Sequence, residues 1–66
     1  MTPTEQRVLD CICRGMSNKE IARELGLAEG TIKVHCKAIF RRLGVRSRCY
    51  AIVKVLTERY EAERPA

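Results

Sequence analysis

Between Lys33 and Lys54 the chain carries Lys33, His35, Lys37, Arg41, Arg42, Arg46, Arg48 and Lys54, without a single Asp or Glu. Before Lys33 the signs nearly cancel: Arg7, Arg14, Lys19 and Arg23 stand against Glu5, Asp10, Glu20, Glu24 and Glu29. The net charge of +5 in 66 residues is therefore concentrated in one stretch. That is the pattern of a surface for a polyanion rather than of charge spread for solubility. Nucleic acid leads as that polyanion, with an acidic membrane surface behind it. A helical step of about 100° per residue gathers Lys33, Val34, Lys37 and Arg41 on one side of the stretch. Amines on such a face donate to guanine O6 and N7, and a small apolar side chain among them touches a thymine methyl. Lys33, Val34 and Lys37, in the first half of the helix, are the candidates for base edges. Arg41 and Arg42, further along, are candidates for phosphates.

Other chemistries lack their residues. With one His, no carboxylates paired on a shared pocket and no glycine-rich phosphate loop after a strand, the chain is not expected to be an enzyme or to bind a cofactor. Cys11, Cys13, Cys36 and Cys49 show no C-x-x-C spacing, and on a helix Cys11 and Cys13 point about 200° apart. Reduced thiols in a cytoplasm are expected, with neither a disulfide framework nor a metal. His35 and Cys36 diverge by about 100°, so one ion does not easily take both. A packed or phosphate-facing histidine is expected instead. No stretch is long and apolar enough for a membrane span, and the start lacks the basic-then-apolar order of a signal peptide. A cytoplasmic protein with no membrane partner is expected, associated with the nucleoid when bound to DNA.

The elements that must position the cationic face are legible from their ends. Thr2-Pro3-Thr4-Glu5 has a capping hydroxyl, proline at the first helical position and a glutamate three after the cap. These start a helix from about Pro3 to Arg14, with Val8, Leu9, Cys11 and Ile12 on its apolar side and Gly15 beyond it. Ser17-Asn18-Lys19-Glu20 repeats the same grammar before Ile21, Ala22, Leu25 and Gly26, so a short second helix follows. A three-residue turn, Gly26-Leu27-Ala28, leaves room for a third helix at about 29–43. Its core stripe, Ile32, Cys36, Ile39 and Leu43, clusters within about 60°. Two helices joined by so short a glycine-bearing turn form a helix-turn-helix. Ser47 caps a last helix to about Tyr60. The expectation is an all-α, compact four-helix domain over 1–60 with a flexible tail over 61–66.

At the ends of these helices Thr31, Asn18 and Lys19 bring hydroxyl, amide, ammonium and backbone N–H groups toward phosphates. Thr31 equally suits a role in starting the third helix, and Lys19 a plain solvated surface.

The strings Ser17-Asn18-Lys19-Glu20-Ile21-Ala22, Gly30-Thr31-Ile32-Lys33-Val34-His35 and Leu43-Gly44-Val45-Arg46-Ser47-Arg48 resemble the LuxR/NarL-type (FixJ-type) helix-turn-helix DNA-binding domain. The likeness runs from Thr2 to Val55, with the motifs in the family's order and spacing. It implies a four-helix output domain of a bacterial transcription regulator, usually a response or signal-responsive regulator. The third helix would sit in the major groove of promoter DNA, and the domain would bind as a dimer. It also implies base contacts at Lys33, Val34 and Lys37, backbone contacts at Lys19, Thr31 and His35, and RNA polymerase as a further partner. Cys11 and Cys13 stand where the family has Leu and Ala, which fits packing roles. Ala28 replaces the usual Ser or Thr cap, a loss of about 1 kcal/mol at the start of the third helix.

On the last helix Cys49, Ala51, Ile52, Val53, Val55, Leu56 and Tyr60 sweep about 200°, whereas one small core needs little more than about 100°. Deep wrapping of a small core would use the surplus; so would a two-fold interface. Cys49 and Val53, with Tyr50 beside them, are the candidates for contact with a second copy, which would set two third helices on inverted half-sites. The competing reading is an interaction module whose basic face holds an acidic protein or a phosphorylated receiver domain.

Overall fold

Two reciprocal capping boxes open the first two helices. In the computed structural model, which describes residues 1–63, Thr2 Oγ1 accepts from the Glu5 N–H at 3.1 Å while Glu5 Oε1 accepts from the Thr2 N–H at 3.0 Å. Ser17 and Glu20 do the same at 3.2 and 2.8 Å. Each box satisfies two N–H groups that a helix start would otherwise leave unpaired. The helices that result are α1 (Pro3–Cys13), α2 (Asn18–Leu25), α3 (Glu29–Leu43) and α4 (Arg48–Glu63).

Gly26 closes α2 in the left-handed region, φ 68° and ψ 33°, a conformation that costs a residue with a Cβ. The chain reverses at once, the Leu27 N–H reaching the Ala22 carbonyl at 2.9 Å. α3 begins on Ala28, whose side chain makes no capping bond; only its carbonyl, accepting from Ile32 N–H at 3.1 Å, anchors the first turn. The expected weak start is present.

The apolar stripes meet in one core. Val8 and Ile12 of α1, Ile21 of α2 and Ile32 and Ile39 of α3 are fully buried, with Ala51 and Val55 of α4 closing the side. Cys13, Met16, Leu25, Phe40, Leu43 and Ile52 pack partly buried around it. α1 touches all three other helices and α3 does likewise, whereas no Cα of α2 lies within 8 Å of α4 among the described residues.

α4 runs past the expected end at Tyr60, through Glu61 and Ala62 to Glu63. Glu and Ala are strong helix formers and no Gly or Pro interrupts them. Arg59 also holds Asp10 of α1 at 3.3 Å across the pair. Residues 61–63, expected in a tail, are therefore helical; the rest of that expected tail, 64–66, lies outside the described residues.

Candidate nucleic-acid interface

Burial of Ile32, Cys36 and Ile39 on one side of α3 fixes what the other side presents. Lys33, Lys37 and Arg41 are exposed, as is Thr31 one turn earlier, and His35 is half-buried at the edge. Val34, in the middle of these cations, is 67% exposed. A β-branched side chain left in water on a helix face does no work for this core. Gly30 shares that side of the helix, with open space where a Cβ would stand, so the backbone is bare at the start of the face.

α2 is set beside the middle of α3 by a polar contact rather than by packing alone. The Cys36 thiol donates to Asn18 Oδ1 at 3.7 Å. The Arg48 guanidinium, from the first turn of α4, donates to the same oxygen and to the Met16 carbonyl at 3.2 Å. Burial pushes the Cys36 thiol up, partly opposed by the Arg48 cation beside it. Burial likewise raises Cys13. Both sulfurs are thus protonated near neutral pH and poor nucleophiles. All four cysteines are free thiols, and no group of three or more His, Cys, Asp or Glu among the described residues is arranged to hold a metal.

Two of the six expected phosphate contacts have partners inside the domain. The Asn18 amide oxygen faces Arg48 and Cys36, because its place at the start of α2 lies against α3 and α4 rather than at the rim. Arg42 pairs through Nε with Glu5 Oε2 at 3.6 Å, since it follows Phe40 and Arg41 around the helix toward α1. Lys19, Thr31 and Arg41 are exposed without such partners among the described bonds, and the capping box leaves the Asn18 and Lys19 N–H groups at the open end of α2. Arg48, which organises this junction, was not legible as such. In the sequence it is one more cation in a basic run, and only its half-buried placement distinguishes it.

On α4, Tyr50, Val53, Leu56 and Tyr60 are 62%, 60%, 48% and 70% exposed, and Cys49 is exposed beside them. The surplus apolar surface expected there lies outside the core. A groove of about 510 Å³ follows it, lined by Gly44, Val45, Arg46, Tyr50, Val53 and Lys54. No described helix is long and apolar enough to cross a membrane.

Residues 1–55 match the family described as bacterial regulatory proteins, luxR family. Among curated proteins, the nitrate/nitrite response regulator protein NarL of Escherichia coli K12 is 42% identical over 59 residues, covering 89% of this chain and 27% of that protein. A nitrate/nitrite response regulator protein homolog of Haemophilus influenzae is 45% identical over 53 residues, 80% of this chain and 26% of that one. The glycerol metabolism activator of Pseudomonas putida is 43% identical over 53 residues, again 80% of this chain and 24% of that one. The chain thus spans about a quarter of the length of these relatives.

Proposed function

The chain belongs to the luxR family of bacterial regulatory proteins as its helix-turn-helix DNA-binding domain, and from that premise we propose how it reads DNA. α3 enters the major groove of double-stranded promoter DNA, its first half toward the base edges. Lys33 and Lys37 donate to guanine O6 and N7, and Val34 meets a thymine methyl. Lys19, Thr31, His35 and Arg41, with the open N–H groups of α2, take the phosphates and hold the register. Asn18 and Arg42 also tie helices together, and Arg42, 56% exposed and paired only through Nε, keeps its other donors for phosphate. The domain acts in the cytoplasm as a sequence reader with no catalytic role.

One observation carries this reading. The side of α3 opposite a fully buried Ile32 and Ile39 consists of exposed cations around an apolar residue 67% exposed. The cations suit a polyanion, and the exposed valine among them suits a thymine methyl.

Two copies bind together through Cys49, Tyr50 and Val53 of α4, bringing two α3 helices to inverted half-sites. The exposed apolar side of α4 supports this. Contact with RNA polymerase from the same promoter completes the reading.

The test is selection of bound duplexes from random DNA, followed by titration of the selected and a scrambled duplex at two salt concentrations. A reader keeps its preferred sequence while losing affinity steeply with salt. Enrichment of no sequence, or tighter binding to an acidic peptide than to any duplex, would favour the interaction module.

A further inference from the structure

Arg48 occupies the first position of α4, yet its guanidinium serves other elements. One nitrogen donates to the Met16 carbonyl, in the loop between α1 and α2, at 3.2 Å, and another donates to Asn18 Oδ1 at the start of α2. The Cys36 thiol of α3 shares that oxygen. α2 and α4 have no Cα pair within 8 Å among the described residues, and this fork is the side-chain hydrogen bond described between them. A guanidinium presents its donors in a rigid plane and so fixes two acceptors relative to each other, which an ammonium does not.

We infer that Arg48 is a positioning residue for DNA recognition, fixing the phosphate-facing start of α2 to the helix through which two copies pair. The inference rests on the dimeric reading above. α4 sets how far apart the two copies stand, and α2 carries Lys19 and its open N–H groups to the backbone. The distance between the two backbone anchors in a dimer then depends on how rigidly α2 follows α4. Arg48 adds a direct polar tie to the apolar core that α2 and α4 share with α1 and α3. Two of its guanidinium nitrogens are engaged within the domain, and the residue is half-buried.

The variants are Arg48→Met, which keeps the stem and removes every donor, and Arg48→Lys, which keeps the charge but not the fork. Without DNA, amide hydrogen exchange at Glu20 and Ile21 in the first turn of α2 is expected to accelerate about tenfold beyond the change at Ile39, the effect of losing one charge-assisted hydrogen bond. On DNA, the wild-type chain prefers the selected half-site spacing over one changed by a base pair. Both variants are expected to lose most of that preference while single half-site affinity falls less than about threefold. A residue needed only for stability would accelerate exchange equally at all three amides and lower both affinities in parallel. That result overturns the inference, as does full rescue by Arg48→Lys. If Arg48→Met does not fold, Arg48→Lys carries the test alone. If the wild-type chain shows no spacing preference at all, the dimeric reading fails, and the exchange measurement still decides whether Arg48 holds α2.

Discussion

Arg42 Nε lies 3.6 Å from Glu5 Oε2, tying the last turn of α3 to the first turn of α1. The Glu5 carboxylate is nearly buried, and it also accepts the Thr2 N–H. The helix proposed to enter the major groove is therefore tied at its far end to a charge that pH can remove.

The Thr2 backbone bond, then the Thr2 hydroxyl and the Arg42 cation, hold Glu5 below the usual carboxylate range against the opposing effect of burial. Glu20 is lowered by its bonds to Ser17. In both cases the unfolded chain binds protons more readily, so the contribution is present above about pH 4.5 and is lost as pH falls through the lower folded values. Denaturant midpoints should drop across that acid window, and Glu5→Gln should flatten the drop. Equal slopes in the two proteins would contradict the role of Glu5.

Ala28 caps α3 without a side-chain bond and is exposed. Ala28→Ser should therefore stabilise the domain by about 1 kcal/mol, raising the thermal midpoint by roughly 4–8 °C for a chain of this size. An unchanged midpoint would mean that the first turn of α3 is satisfied otherwise.

Lys19→Ala should weaken binding to every duplex alike and reduce the salt slope by about one, as the proposed phosphate contact requires. Weakening confined to one sequence would place Lys19 on a base instead.

Val53 is 60% exposed, so Val53→Asp should change stability by no more than about 0.5 kcal/mol. It should nonetheless abolish cooperative binding to a duplex with two half-sites, and sedimentation should show monomers where the wild type pairs. Full cooperativity in the variant would remove α4 as the interface.

What the sequence made legible was local. Thr2 and Glu5, Ser17 and Glu20, and Gly26 mark helix ends because the partners lie three or four residues apart, and the period of Ile32, Cys36 and Ile39 assigns α3 its two sides. What it hid was long-range or unmarked. Arg48 reaches Asn18 across 30 residues, and a basic run does not reveal which of its cations turns inward. Arg42 stands next to Arg41 in the chain but about 100° away around the helix, which is enough to give it to Glu5. The end of α4 is unmarked because Glu61, Ala62 and Glu63 favour helix as much as they favour a solvated tail.

The central claim is that the first half of α3 reads bases, and Lys37→Ala tests it most directly. Lys37 is exposed and makes no described bond within the domain, so truncation leaves the fold intact. Titration of the variant against the selected duplex and against duplexes altered one base pair at a time should show a loss of about 1–3 kcal/mol on the selected site and a relaxed preference at one position. Unchanged affinity and unchanged preference would contradict the account.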